Sequence, residues 1–188
     1  GRIARRDVLP LIPMFVVGAS LGMITAWIER SQVGAQGAPW QLSLVERTLI
    51  AGRAVWFYAA KLAWPHPLVF CYPRWHVSSS AAWQYLFPLA AVAVVAVLFA
   101  LRRRIGRGPL AATLFFGGTL FPALGFVNVY PMQFSFVADH FQYLASIGLI
   151  VLATSAAARL AARRLSVLVA AGLLILVAFG ALTWRQSQ

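Results

Sequence analysis

Five runs of roughly twenty residues, each almost free of charge, leave few folds open to this sequence. They cover about Val8 to Ile28, Trp83 to Leu101, Pro109 to Val127, Phe141 to Ala158 and Leu165 to Trp184. At about 1.5 Å of rise per residue, a helix of that length crosses a hydrocarbon core about 30 Å thick. Soluble domains carry about a quarter charged residues. Here 11% are charged, and the mean hydropathy is +0.78. These features predict an all-α, polytopic integral membrane helical bundle of about five transmembrane helices, with the lipid bilayer as its surroundings. Pro88 and Pro122 fall inside two of the runs and predict kinks there.

The net charge of +12 would suit a nucleic-acid binder if the basic residues formed one face. They lie instead in short gaps between apolar runs. Arg2, Arg5 and Arg6 precede the first run, RRRIGRG at 102–108 follows the second, and RLAARR at 159–164 follows the fourth. Five crossings put all three clusters on one side, and cytoplasmic loops are the ones that collect Arg and Lys. Loops 29–82 and 128–140 then fall outside. No nucleic-acid partner is expected. High Ala and Arg with a single Lys suggests a GC-rich bacterial genome and hence an inner membrane, with these loops periplasmic.

That sidedness holds only if 44–63 does not cross. The stretch carries Glu46, Arg47, Arg53 and Lys61, and each such charge at mid-bilayer costs about 2.5–3.5 kcal/mol on insertion scales. On a helical wheel Glu46, Arg53 and Lys61 share one stripe with Arg47 at its edge, while Leu44, Val55, Ala59 and Leu62 face away. The expectation is an external amphipathic or re-entrant helix over about 44–63, ended by Trp64-Pro65-His66-Pro67. The segment after it is rich in Tyr and Trp, as suits headgroup depth. The chain begins at Gly1 and reads as a fragment lacking its amino-terminal part.

Three constellations invite chemistry. The stripe of Glu46, Arg53 and Lys61, with Arg74 nearby, offers forked and point-like cations for a phosphate or diphosphate headgroup. The plain alternative is a lipid-surface helix whose cations meet any anionic headgroup. Asp139 and His140 at the start of the fourth run could do acid–base work or hold a polar substrate. Alternatively, Asp139 only caps the helix. His66 and His76 with Cys71 and Tyr72 do not have a recognised ligand spacing, so no metal site is predicted. Cys71 is the only cysteine, which excludes an intrachain disulfide. No phosphate loop, nucleophile elbow or HExxH motif occurs. No motif demands a cofactor, and a divalent cation is left open.

Two stretches, ERTLIAGRAVWFYAAKLAWPHPLVFCYPRW at 46–75 and LFPALGFVNVYPMQFSFVADHFQYLASIGL at 120–149, resemble the membrane domain of bacterial tetratricopeptide-repeat proteins related to the TMTC-type protein O-mannosyltransferases. The shared pattern is an Arg, a Tyr, then Lys-Leu with Trp-Pro, followed later by Leu-Phe-Pro, an acidic residue and Tyr-Leu-x-Ser. The resemblance implies the carboxyl-terminal part of a GT-C glycosyltransferase fold. Such enzymes transfer a sugar from a polyprenyl-phosphate donor, here to an acceptor expected to be protein, on the extracytoplasmic face. It implies donor-phosphate binding by Arg53 and Lys61. Asp139 and Tyr143 match the later pattern, and with Glu46, Arg74 and His140 they are candidates for a donor or acceptor site. His140 stands where Arg is common, and Ala145 where Pro is usual. The family's catalytic acid would lie upstream of Gly1. A repeat domain would follow residue 188, and TWRQSQ at 183–188 looks like its junction. The rival reading is a non-enzymatic membrane anchor or scaffold for exported repeats. A transporter or flippase would need charges deep within the runs, which hold almost none.

Overall fold

The computed structural model describes residues 8–33, 37, 41–160 and 165–186. Arg2, Arg5, Arg6, Arg163 and Arg164 of the predicted basic clusters, and the last two residues of the predicted repeat junction, lie outside the described residues. The regular elements among the described residues are all helices, with no strand among them.

Helix α1 (Ile12–Ser31) follows a 3-10 turn at Leu9–Leu11. Pro10 and Pro13 sit in the opening turns, where a missing N–H removes no helical bond. No side chain of α1 is buried, and Phe15, Met23 and Trp27 stand among its exposed residues. Lipid chains make such a surface tenable, since they are as apolar as Leu. Helix α2 (Leu44–Ala63) opens on a capping box. The Ser43 hydroxyl accepts the Glu46 N–H at 3.2 Å, and the Ser43 N–H donates to Glu46 Oε2 at 2.8 Å. It stops at Trp64 because Pro65 disfavours a helical residue before it. Helices α3 (Leu86–Leu101), α4 (Gly108–Leu120), α5 (Tyr143–Leu160) and α6 (Leu165–Gln186) complete the chain.

Three helical stretches are long and apolar enough to cross a membrane: Leu9–Ser31, Ala82–Leu101 and Asp139–Arg159. Gly108–Ala123 is a shorter apolar helix, and α6 is apolar over Val169–Arg185. The predicted run over 109–127 therefore overshoots. Helix α4 ends at Leu120, and Pro122 sits in a 3-10 turn at Phe121–Ala123. Gly125 then turns the chain at φ +94°. Pro122 ends the helix rather than kinking it. Pro88 also makes no interior kink, because it lies in the first turn of α3, after a 3-10 turn at Ala82–Tyr85.

Glycine permits two close helix approaches. A Cβ on Gly52 of α2 would lie 2.5 Å from the Pro88 nitrogen, and one on Gly148 of α5 would lie 2.7 Å from the Ala112 carbonyl oxygen of α4. The core gathers Ala51, Ala54 and Tyr58 of α2 with Phe116, Leu120 and Leu124 at the end of α4, Val137, and Ala145 of α5. It sits at the end of the bundle where α3 begins, α4 ends and α5 begins.

Helix α2 lies across that end. Near its start, Arg47 donates to the carbonyls of Gly125 (2.8 Å) and Phe126 (3.4 Å) and to Asn128 Oδ1 (2.7 Å), just beyond α4. In its middle, Trp56 Nε1 donates to the Phe87 carbonyl at 3.0 Å, in the first turn of α3. Further on, the Tyr58 hydroxyl accepts the Ala138 N–H at 3.1 Å, just before α5. Near its close, Lys61 donates to the Pro67 carbonyl in the connection ahead of α3. Arg47 and Lys61 are about 21 Å apart along the helix, yet both bind segments at the same end. That arrangement fits a helix lying across the bundle rather than through it.

Candidate functional site

The connection between α2 and α3 is ordered by its own side chains. Buried Gln84 accepts from the Ser78 N–H at 3.2 Å and donates to the His76 carbonyl at 3.1 Å, while the Tyr85 hydroxyl donates to the Ser79 carbonyl at 2.9 Å. This brings Tyr72 and Trp75 back onto α2. Their rings and two others form a row: Tyr72 and Phe57 have centroids 4.8 Å apart, Phe57 and Trp75 5.9 Å, and Trp75 and Phe136 6.3 Å.

Three cations stand over the row. Lys61 Nζ is 5.1 Å from the Tyr72 centroid, Arg53 Cζ is 4.4 Å from that of Trp75, and Arg74 Cζ is 4.7 Å from that of Phe136. Such contacts contribute about 0.5–2 kcal/mol according to how far the cation is desolvated. Arg53 has no hydrogen bond or ion pair with the described residues, so its five N–H donors are unspent. Partial burial pulls its pKa below the ordinary guanidinium value. It still stays charged at neutral pH. Lys61 keeps two of its three ammonium hydrogens, and no carboxylate among the described residues pairs with it. The sequence grouped Arg53, Lys61 and Arg74, and the fold strings them along one aromatic row.

Glu46 does not join them. Its carboxylate takes the Ser43 N–H and, at 2.9 Å, the Ser43 hydroxyl. Those bonds, the backbone one first, hold its pKa below the usual carboxylate value. Arg47, the stripe's other member, is spent on the turn after α4. The sequence stripe is thus divided by the fold into a structural half and a half with free donors.

Asp139 accepts the Tyr72 hydroxyl on both oxygens, at 2.9 and 3.0 Å, and the same hydroxyl lies 3.2 Å from the Pro67 carbonyl. Burial, then the hydrogen bond and charge of Asp139, push the Tyr72 pKa up to about 12. Burial pushes Tyr58 to about 12 as well, outweighing the stabilising Ala138 N–H. Tyr72 therefore ties Asp139 to the cation row. Asp139, His140 and Tyr143 line a cleft of about 290 Å³ with Leu68, Val69 and Phe70. A second hollow, about 600 Å³, is apolar. It lies among α2, α3, α4 and α5, lined by residues such as Val55, Val92, Phe99, Leu114 and Leu149. Among the described residues no three metal-ligating side chains converge, and Cys71, His66 and His76 are exposed.

Sequence reasoning missed the roles of Tyr58, Tyr72, Trp75 and Gln84, whose partners come from distant segments. It also missed the capping box, although Ser43-Leu44-Val45-Glu46 carries the S-x-x-E spacing that announces one. Comparison with protein-family models, curated proteins and solved structures finds no match.

Proposed function

We propose that the cation row binds the phosphate of a lipid-linked sugar donor, and that the chain forms part of a polytopic membrane glycosyltransferase working on the extracytoplasmic face. The observation that carries this reading is Arg53, held in place by Trp75 with every donor unspent among the described residues. A structural arginine looks like Arg47, with its fork filled. Arg53 instead offers a preorganised fork for an anion brought from outside. A departing lipid phosphate gains charge as the bond to the sugar breaks, and fixed cations lower the barrier most where charge develops.

The topology proposed with it has five crossings, counting α4 and α6, with Arg102–Arg104 and Arg107 in the cytoplasm and α2 lying at the outer interface. The tetratricopeptide-like domain after residue 188, the protein acceptor and the upstream catalytic acid belong to the same proposal. The anchor reading draws support from Glu46 and Arg47, whose charges serve the fold alone. It gives no role to unspent donors on Arg53.

The test is Arg53→Ala in the full-length protein, reconstituted with polyprenyl-phosphate hexoses. Sugar transfer should fall by about 10²–10³, in line with the loss of one transition-state donor, while abundance and membrane insertion stay normal. Transfer at the wild-type rate would remove Arg53 from the mechanism.

A further inference from the structure

The cleft beside Asp139 has a different chemistry from the cation row. Phe70 projects from its rim with 94% of its surface exposed, and Tyr143 is 72% exposed. Neither Phe70 nor the Tyr143 hydroxyl has a polar or ring contact among the described residues. His140 packs its ring edge-on against Phe141 at 4.5 Å, and its imidazole makes no hydrogen bond among them. Among the described residues the Asp139 carboxylate receives only the Tyr72 hydroxyl, so each of its oxygens keeps a lone pair. The cleft thus combines carboxylate acceptors, a phenol and an imidazole able to donate or accept, and apolar surface from Leu68, Val69 and Phe70.

That combination selects its ligand by exclusion. An anion would meet Asp139 unfavourably. A hydrocarbon chain would strip water from a carboxylate, a phenol and an imidazole without replacing their hydrogen bonds. A cation would find one carboxylate, and that one already accepts a hydrogen bond. What fits is a small neutral molecule with hydroxyl groups around its edge and C–H surface on its faces. A volume of about 290 Å³, at the lower bound of ligand sites of about 300 Å³, accommodates a single ring.

We propose that this cleft binds one neutral pyranose ring. The ring's hydroxyls meet Asp139, His140 and Tyr143, and its C–H face lies on Phe70. Ring binding is independent of the phosphate assignment. That the ring belongs to a glycosyl phosphate rests on the proposed function, and Tyr72, donating to Asp139 beneath Lys61, is the side chain that would join the two halves.

Saturation-transfer NMR on the full-length protein in nanodiscs, with methyl hexopyranosides as probes, tests ring binding directly. Wild type should transfer saturation to the C–H protons of at least one hexoside. Phe70→Ala should reduce that signal at least fivefold, and so should Asp139→Asn, which leaves an amide oxygen to accept from Tyr72. Arg53→Ala should leave it intact. The inference fails if wild type shows no transfer to any hexoside. It fails equally if Phe70→Ala and Asp139→Asn bind like wild type, the result expected when Phe70 only anchors in headgroups, or if Arg53→Ala abolishes the signal. Because transfer activity is not measured, failure here leaves the Arg53 phosphate test untouched, and the reverse also holds.

Discussion

Gly52→Ala probes the crossing on which the site depends. An added Cβ would stand 2.5, 2.6 and 2.7 Å from the nitrogen, Cδ and Cα of Pro88. Carbon atoms settle at about 3.5–4.0 Å, so each contact is about 1 Å too short. None of the three atoms belongs to a side chain that can swing aside. Overpacking of this kind costs about 1–3 kcal/mol, and three rigid clashes put this site at the upper end. Alanine returns about 1 kcal/mol through its helix propensity, leaving a net loss of about 2 kcal/mol. For a chain of this size that corresponds to a melting temperature lower by roughly 4–8 °C. Separating α2 from α3 also stretches the 3.0 Å bond from Trp56 to the Phe87 carbonyl and turns the neighbouring Arg53 away from Trp75. The assay is thermal unfolding of the detergent-solubilised protein followed by size-exclusion fluorescence. Gly18→Ala and Gly22→Ala serve as controls, because a Cβ at either position meets nothing within 4 Å. If Gly52→Ala melts with the controls or above wild type, α2 does not cross α3 at Pro88, and the placement of α2 across the bundle end is wrong.

Arg47→Ala strips donors from two carbonyls and an amide in the turn after α4. It should cost about 1.5–3 kcal/mol, measured as a drop in melting temperature, and lower the proposed sugar transfer only in proportion to folded protein. Glu46→Gln weakens the capping box and should cost about 1 kcal/mol or less at neutral pH. Because the folded pKa of Glu46 is depressed, the stabilisation is present above the unfolded carboxylate pKa and is lost as pH falls through the folded one. The melting temperatures of wild type and variant should therefore converge on acidification. Tyr58 and Tyr72 have raised pKa values, so the opposite sign applies. Their stabilisation is complete below pH 10.0, is lost as pH rises toward about 12, and amounts to about 2–3 kcal/mol for fully buried Tyr58. Tyrosinate absorbance that develops fully near pH 10.0, without loss of fold, would contradict the burial of these two phenols.

Residues whose local pattern is decisive were legible in the sequence. Helix α2 runs over Leu44–Ala63 as its charge stripe and the Trp64-Pro65 break predict. Three of the five apolar runs form helices of membrane-crossing length. The run ending at Val127 misleads because hydropathy does not register backbone geometry. Leu120 to Val127 stay apolar while Pro122 and Gly125 turn the chain. In the site, the sequence could gather Arg53, Lys61 and Arg74 by charge, and Asp139 and His140 by adjacency, while Tyr143 entered through the family resemblance. It could not tell that Arg47 finds its partners 78 to 81 residues away, nor that Tyr72 reaches Asp139 across 67 residues. Helical spacing places two side chains on one face but says nothing about what the rest of the chain lays against that face.

The choice of partners over the row carries a consequence for the proposed phosphate site. A carboxylate beside Arg53 or Lys61 would fix the cation and also consume its charge and donors, as salt bridges do. An aromatic face fixes the cation through its quadrupole and leaves the N–H groups directed outward. The described carboxylates near the row are both engaged elsewhere: Glu46 caps its own helix, and Asp139 is held by the Tyr72 hydroxyl. Tyr72 thus presents its ring to Lys61 and its hydroxyl to Asp139, which places a neutral group between an acid and a cation that would otherwise attract each other. Keeping that pair apart leaves positive potential at the row and acceptor capacity in the cleft. A molecule with an anionic end and a hydroxylated end meets both requirements at once.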